Sequence, residues 1–146
     1  MKIKIIAIGK LDSEVQKLFD EYQKRLGSFC KVETLFLKED KNRQNNEQKV
    51  LEKSKSAFLI IFDEKGKEFT SQEFANFLEQ KENQSVGEIV FFIGGTDGHT
   101  DFIKQNADFK LSLSKLTLPH KLACLFAVES IYRAFSIINH HPYHRE

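Results

Sequence analysis

Features that would mark a membrane or disulfide-bonded protein are missing from this sequence of 146 residues. Its apolar runs are far shorter than the roughly 18 residues that a membrane-spanning helix needs. Its two cysteines, Cys30 and Cys124, form no CxxC pair, which is typical of reduced core residues in a cytosolic protein. The opening MKIKIIAIGK is basic and then apolar, but it alternates like a strand and lacks a small-residue cleavage site. We therefore expect a strand there and not a signal peptide.

An excess of one charge is missing as well, since 22 Lys and Arg residues face 21 Asp and Glu residues, giving a net charge of +1. A protein that holds bare nucleic acid by charge alone is normally much more basic. Any RNA partner would therefore have to be recognised through a local patch, through its shape, or with the help of other contacts. What the chain does have is 40% hydrophobic residues and 14 phenylalanines, which indicate a folded globule.

Common cofactor and catalytic motifs are absent too. The sequence has no GxxxxGK(S/T) phosphate loop, no GxGxxG dinucleotide fingerprint and no GxSxG nucleophile elbow. His140 and His144 have the spacing of two ligands on one helix, but Pro142 between them should prevent a regular helix. The one carboxylate near them is Glu146, so we expect no metal site.

Short apolar strands alternate with helical segments along the chain. This order predicts an α/β domain with a largely parallel sheet of about five strands flanked by helices. The predicted strands are residues 2–8, 29–37, 57–62, 88–95 and 109–114. Helix starts are predicted at Asp12 or Ser13, at Thr70 with Glu73 as a capping box, at Thr100 and at Pro119. No linker or internal repeat interrupts residues 1–146, so we expect one domain.

Three loop segments should share one edge of this sheet, because ligands of such sheets bind beyond the carboxyl ends of the strands. These segments are residues 62–66, 94–99 and 114–120. The second contains three glycines and is either a plain tight turn or a place where the backbone approaches a ligand closely. In the third, hydroxyls and backbone amides around Ser114 and Thr117 suit the edges of a purine and a ribose. A loop followed by a helix cap is the simpler interpretation of the same residues.

One further segment is unusually polar. Residues 38–49, KEDKNRQNNEQK, have no apolar member and predict a mobile loop that runs into a short helix. This stretch is either a solvated face or a flexible arm that touches a polyanion.

The predicted helix from Pro119 to about Ile138 is apolar on nearly every face, so we expect one side of it to meet another subunit. Within it Glu129 and Arg133 have i, i+4 spacing and form either a structural ion pair or part of a site at that subunit contact.

Four stretches, IGGTDG, LSLSKLTLPH, VESIYRAFSI and HPYHRE, occur in this order and at these spacings. Together they resemble the RlmH family, the bacterial SPOUT-class methyltransferases that methylate N3 of a pseudouridine in large-subunit ribosomal RNA. The likeness is densest over residues 112–146 and loose before residue 58. The resemblance depends on LTLPH together with PYHRE. A glycine motif such as IGGTDG would be weak evidence by itself.

The resemblance implies a fold, a cofactor and partners that composition does not reveal. SPOUT proteins carry a deep C-terminal trefoil knot, here in a knot and cofactor region of about residues 58–146, whose loops bind S-adenosylmethionine in a bent conformation. Family members form homodimers, act in the cytoplasm and take pseudouridine 1915 of 23S rRNA as their target on the assembled ribosome. An assembled ribosome can orient a small, nearly neutral dimer that could not hold free RNA by charge.

Carried over position by position, the implied cofactor contacts are Phe62, Gly95, Ser114, Lys115, Leu116, Thr117, Leu118 and Pro119. Phe62 stands where the family commonly has Leu, so a larger ring would pack against the adenine. His140 replaces a frequent Asn, and Asp97 lies in a variable pair of the glycine loop, where no catalytic role is implied.

The resemblance also implies that the tail lies over the cofactor's methyl group and completes the pocket for the target base. Its candidate catalytic residues are Glu129, Arg133, Tyr143, His144 and Arg145. His144 would be a general base or an orienting group, since the ordinary histidine pKa of about 6.5 suits proton transfer near neutrality. Arg145 or Arg133 would stabilise charge on a carbonyl oxygen of the base, and Tyr143 would stack on that base.

Three other hypotheses remain open at this point. A SPOUT enzyme with another RNA target would keep the cofactor segments but not the tail. A catalytically silent ribosome-binding module would bind without methyl transfer. A flavodoxin-like or dinucleotide-binding protein would hold a flavin or nicotinamide and would not bind S-adenosylmethionine.

Overall fold

A computed structural model describes residues 1–145 and places five strands in one sheet with helices on both faces. The strands are β1 (Lys2–Ile8), β2 (Lys31–Leu37), β3 (Phe58–Glu68), β4 (Glu88–Ile93) and β5 (Phe109–Ser112). The helices are α1 (Ser13–Leu26), α2 (Arg43–Lys53), α3 (Ser71–Asn83), α4 (Asp101–Asn106) and α5 (His120–Ile138). The strand order is β2-β1-β4-β3-β5, and every neighbouring pair is parallel. The predicted α/β class with a parallel sheet of five strands is confirmed.

The sheet separates two hydrophobic cores, which explains why its central strands are apolar on both faces. On one face, side chains such as Phe91 of β4 pack against α1, α3 and α5. On the other face, the adjacent Phe92 packs with Val50 of α2 and Ile103 of α4. The two faces leave only the ends of the strands open to a ligand.

The predicted helix starts lie where the sequence placed them. The side chain of Asp12 caps α1, and Thr70 with Glu73 forms the predicted capping box of α3. Thr100 precedes α4 as expected, but its hydroxyl does not cap that helix. It donates instead to Glu47 of α2, a contact between segments far apart in sequence.

Strand β3 differs from the prediction, which ended it at Phe62 and placed a turn after it. The strand continues to Glu68, with a shift in its register against β5 after Phe62. Gly66 makes this possible, because a Cβ at that position would lie 2.6 Å from the carbonyl oxygen of Lys110. Because of this irregularity, Asp63 is not paired with β5, and it lies at the edge of the sheet where the three loop segments meet.

The polar segment, residues 38–49, is not the mobile loop that the composition predicted. It does run into a helix, α2, but the preceding residues fold back onto that helix. Asn46 is 3% exposed, its Oδ1 accepts a hydrogen bond from the Asp40 N–H at 2.8 Å, and its Nδ2 donates to the Lys38 carbonyl at 3.1 Å. Glu47 is 2% exposed. Polar side chains are therefore buried in this segment because hydrogen bonds satisfy them. The polar composition of the segment gave no sign of that burial.

Within residues 1–145, no helix is long and apolar enough to cross a membrane. Both cysteines are free thiols, with Cys124 buried and Cys30 half-buried. Burial raises the pKa of the Cys30 thiol to about 11 and that of Cys124 to about 12. Both thiols are therefore protonated and weakly nucleophilic near neutral pH.

Candidate functional site

A cleft with a volume of about 690 Å³ opens at the carboxyl ends of β3, β4 and β5. Its lining consists of residues 62–64, 93–99, 104, 113, 114, 116–120 and 123. All three loop segments predicted to share one edge of the sheet therefore meet around it. A cleft of this size, in the range of about 300–1,000 Å³, is typical of small-molecule sites.

Seven of the eight residues proposed for the cofactor line this cleft. They are Phe62, Gly95, Ser114, Leu116, Thr117, Leu118 and Pro119. The ring of Phe62 is stacked on Phe91 at 6.0 Å between centroids, so the larger side chain fits the wall. Lys115 lies outside the cleft, where its exposed Nζ is 3.4 Å from Glu68 Oε1.

The third loop segment is held by its own hydroxyl groups. Ser114 Oγ accepts a hydrogen bond from the Leu116 N–H at 2.9 Å. The Thr117 hydroxyl donates to Glu64 Oε2 at 3.1 Å, which joins this segment to the second half of β3. The Thr117 hydroxyl proton is thus used within the protein, while the Ser114 hydroxyl can still donate to a ligand.

His120 lines the cleft although the predicted cofactor segment stopped at Pro119. Its Nδ1 lies 3.2 Å from the Gly94 carbonyl oxygen, so Nδ1 carries the proton and donates. Its Nε2 lies 3.7 Å from Cys124 Sγ, one helical turn along α5. His120 thereby fastens the start of α5 to the glycine loop. The signal in the sequence was the i, i+4 spacing of these two side chains.

Charged groups also line the cleft, and no role was assigned to them from the sequence. The carboxylates of Asp63, Glu64 and Asp97 line it together with one ammonium group, that of Lys104, which lies 3.8 Å from Asp63 Oδ2. The surplus of carboxylates favours a ligand with positive charge. Burial lowers the pKa of the neighbouring His99 to about 4, although the Asp63 carboxylate acts in the opposite direction. His99 is therefore neutral at physiological pH.

A second polar cluster, the tail cluster, contains Glu129, Arg133, Tyr143 and His144. Glu129 Oε1 accepts hydrogen bonds from Arg133 Nε at 2.9 Å, from Arg133 Nη2 at 2.6 Å and from the Tyr143 hydroxyl at 3.0 Å. Arg133 Nη1 lies 3.0 Å from His144 Nδ1. The structure thus brings four of the five proposed catalytic residues together, while Arg145 is exposed beside them.

The protonation of the tail cluster follows from its contacts. Arg133 is always a donor, so His144 Nδ1 accepts from it and the proton of a neutral imidazole lies on Nε2. Burial, with a side-chain hydrogen bond shared with Tyr22 and the charge of Glu129, raises the pKa of Tyr143, so its phenol stays protonated. The Arg133 guanidinium lies 4.7 Å from the Tyr143 ring centroid. The Tyr132 ring also packs against Tyr143, at 4.6 Å between ring centroids.

The cleft and the tail cluster are separate within one chain. Ala123 of α5 lines the cleft, and Arg133 lies ten residues farther along the same helix, about 15 Å away at 1.5 Å per residue. The tail packs beside the far half of α5, with Tyr143 against Tyr132 and His141 against Phe29. The resemblance did not specify which chain's cofactor site the tail would cover, and within one chain the two groups of residues lie apart.

Among residues 1–145, no three His, Cys, Asp or Glu side chains are grouped as a metal site would require. The Glu146 carboxylate, considered above beside His140 and His144, lies outside the described residues.

Comparison with known proteins extends these observations. Residues 1–144 match the family model described as "Predicted SPOUT methyltransferase". The chain is 40% identical over 157 aligned positions to ribosomal RNA large subunit methyltransferase H of Flavobacterium johnsoniae, covering 100% of both chains. It is 37% identical over 155 positions to the protein of the same name from Christiangramia forsetii, covering 99% of each.

A solved structure supports the fold independently. A probable methylase family protein from Haemophilus influenzae Rd KW20 superimposes with a TM-score of 0.59 over 99% of this chain and 70% of that one. The two sequences are only 12% identical, so this likeness concerns the fold alone.

Proposed function

This chain belongs to the family of ribosomal RNA large subunit methyltransferase H, within the SPOUT methyltransferases, and on that basis we propose that it methylates ribosomal RNA with S-adenosylmethionine as methyl donor. The observation that supports this most strongly is the cleft, where seven residues carried over from the family as cofactor contacts lie together. Sequence similarity covers the whole chain, so the proposal does not depend on one motif.

The cleft fits S-adenosylmethionine in size and chemistry. Its aromatic and aliphatic walls, including Phe62 and Leu118, suit an adenine ring, and the glycine loop offers backbone groups for close approach. Its carboxylates suit the positive sulfonium and ammonium groups of the donor. When bound, S-adenosylmethionine supplies an electrophilic methyl group, whose bond to sulfur breaks as a bond to the RNA base forms, and the proton of the base passes to solvent water.

The finer target that we propose is N3 of pseudouridine 1915 in 23S rRNA, on the assembled ribosome. The tail supports this choice, since Tyr143, His144 and Arg145 match the family's ending residue by residue. The net charge of +1 agrees with a substrate that the ribosome itself orients. A ribosomal substrate also implies that the protein works in the cytoplasm.

We further propose that the chain works as a homodimer, because the cleft and the tail cluster lie apart in one chain. Leu122 and Phe126 of α5 are each 44% exposed, which is unusual for large apolar side chains. Their spacing puts them on the same helical face as Glu129 and Arg133. A two-fold contact through this face would cover the apolar pair and bring one chain's tail cluster to its partner's cleft.

In this arrangement each tail residue has a proposed role. Arg133, with Arg145, stabilises the negative charge that grows on a carbonyl oxygen of the base as N3 loses its proton. Glu129 fixes the Arg133 guanidinium through two hydrogen bonds. Tyr143 contributes its aromatic ring for stacking on the base. His144 acts as an orienting group and not as the general base, since Arg133 already donates to its Nδ1.

The resemblance carries one structural proposal as well. We expect residues 1–146 to act as one SPOUT domain, in which the knot and cofactor region of about residues 58–146 forms a deep trefoil knot. The parallel sheet and the position of the cleft at the ends of β3, β4 and β5 are compatible with that topology.

The direct test is transfer of radiolabelled methyl from S-adenosylmethionine to ribosomes from cells that lack this modification. Label is expected in the large-subunit RNA, at one pseudouridine, with ribosomes but not with free RNA. Binding of the cofactor without any labelling would instead indicate the silent ribosome-binding module. Label at another nucleotide would keep the methyltransferase and change its target.

A further inference from the structure

We propose that the polar segment, residues 38–49, positions the glycine loop, residues 94–99, for cofactor binding; this inference rests on the proposed function. The glycine loop forms one wall of the cleft. Among the described residues, those of the polar segment line neither the cleft nor the tail cluster. The polar segment instead contacts the glycine loop, and the proposed function assigns no role to these contacts.

Two contacts hold the middle of the glycine loop. Glu39 Oε2 accepts a hydrogen bond from the Thr96 N–H at 3.4 Å. Arg43 Nη1 donates to the Asp97 carbonyl oxygen at 2.8 Å. Both contacts are made to backbone atoms of the loop, at Thr96 and Asp97. They therefore hold the path of the loop independently of the side chains at these two positions.

A third contact holds the end of the loop. The carboxylate of Glu47 is buried and accepts two hydrogen bonds from Thr100, one from its N–H at 2.9 Å and one from its hydroxyl. Thr100 directly follows the loop and precedes α4. A buried carboxylate that lost these donors would be costly, which makes this end of the loop the more firmly held one.

The polar segment is itself well fixed. Asp40 Oδ1 accepts from the Asn42 N–H at 2.8 Å, and Asn42 Oδ1 caps α2 by accepting from the Gln44 N–H at 3.0 Å. Buried Asn46 closes the preceding turn, as described above. The groups that hold the glycine loop therefore project from a hydrogen-bonded base and not from a free loop.

The glycine loop needs such support because three of its six residues are glycine, whose backbone has the greatest conformational freedom. A loop that is held in its binding conformation loses less entropy when a ligand arrives, and the ligand then binds more tightly. Gly95 lies close to this support, since a Cβ there would lie too close to Glu39 Oε2, and the exposed Glu39 side chain would have to move away from the loop.

The test compares Arg43→Ala with Lys53→Ala, which removes the same charge from an exposed position on the same helix. S-adenosylmethionine is titrated calorimetrically into each full-length variant, and hydrogen exchange is followed at the amides of the glycine loop. We expect the Kd of Arg43→Ala to rise about 3- to 10-fold, the worth of one hydrogen bond to an ordered loop. The loop amides should exchange faster, while Lys53→Ala matches wild type in both.

Turnover separates positioning from a general loss of stability. The KM for S-adenosylmethionine should rise in Arg43→Ala while kcat at saturating cofactor and the unfolding midpoint stay close to wild type. Arg43→Lys, which can still donate to a carbonyl, should recover part of the affinity. Equal Kd and equal exchange in Arg43→Ala and Lys53→Ala would overturn the inference while leaving the proposed function intact. Absence of cofactor binding by wild type would overturn both.

Discussion

Arg133 is the residue on which the tail cluster depends. It donates to Glu129, lies over the ring of Tyr143 and contacts His144, so one guanidinium sets the positions of three other side chains. The sequence indicated the ion pair through i, i+4 spacing, but it could not reveal the contacts with the tail, because Pro142 breaks the helical periodicity between them. The ion pair within the helix was therefore predictable from the sequence, and the contacts of Arg133 with Tyr143 and His144 were not.

Replacing His144 by Ala should lower kcat about 10- to 100-fold, the loss expected when one hydrogen bond to a charged group disappears. The Kd for S-adenosylmethionine should not change, because His144 does not line the cleft. Single-turnover methylation of ribosomes and calorimetric titration measure the two quantities. A loss above about 10³-fold, with a changed pH profile, would favour a general base instead. An unchanged kcat would remove His144 from the site.

His99 should make stability depend on pH. Its pKa is lowered to about 4 in the folded protein, while an unfolded chain has about 6.5. The unfolded state therefore binds a proton first as the pH falls, and stability decreases from about pH 6.5 to pH 4, by on the order of 3 kcal/mol at most. Urea unfolding at several pH values should show a shallower decrease for His99→Leu. His140→Asn, which removes an exposed imidazole, is the control; an unchanged slope in His99→Leu would contradict this account.

At the scale of elements, the edge of the sheet that carries the cleft was predictable and the polar segment was not. Alternating strands and helices located the three loop segments, because parallel strands bring their carboxyl ends to one edge. The polar segment looked mobile because burial of Asn46 and Glu47 depends on hydrogen bonds to distant residues such as Thr100. Hydrophobic periodicity carries no information about such partners. The same limitation explains why the extension of β3 beyond Phe62 was missed.

The irregular pairing of β3 with β5 gives a stability prediction. Gly66→Ala should destabilise the protein by about 1–3 kcal/mol, since the new Cβ would meet the backbone of Lys110 and Leu111 and force the strands apart. Gly87→Ala is the matched control, because nothing lies within 4 Å of a Cβ at Gly87. It should be neutral or slightly stabilising. Urea denaturation compares the two, and equal stabilities would show that β3 and β5 approach less closely at Gly66.

At the scale of the whole molecule, the two halves of the proposed site lie about 15 Å apart on α5, an estimate from the helical rise. The sequence predicted a subunit contact on this helix but not the separation, because the motifs for the cofactor and for the tail follow one another within 35 residues, Ser112 to Glu146. The exposed face of α5 that carries Leu122 and Phe126 offers a way to join the halves of two chains.

A charge on that face should separate the dimer. Phe126→Glu is expected to sediment as a monomer at micromolar concentration, to retain cofactor binding and to lose methyl transfer. Leu18→Glu changes a similarly exposed apolar residue on α1, 46% exposed, and should remain dimeric. A wild-type protein that sediments as a monomer, or a dimeric Phe126→Glu, would rule out this face as the contact.

The most direct test of a site divided between two chains is activity after mixing two inactive variants. Gly95→Val blocks the glycine loop of the cleft, and Arg133→Ala removes the centre of the tail cluster; each homodimer should be nearly inactive. After unfolding and refolding together, half of the dimers combine both chains, and one of their two sites is intact. Methylation of ribosomes should then recover to roughly a quarter of the wild-type rate, as random pairing of two-fold dimers requires. A rate no higher than the sum of the two separate variants would contradict the account.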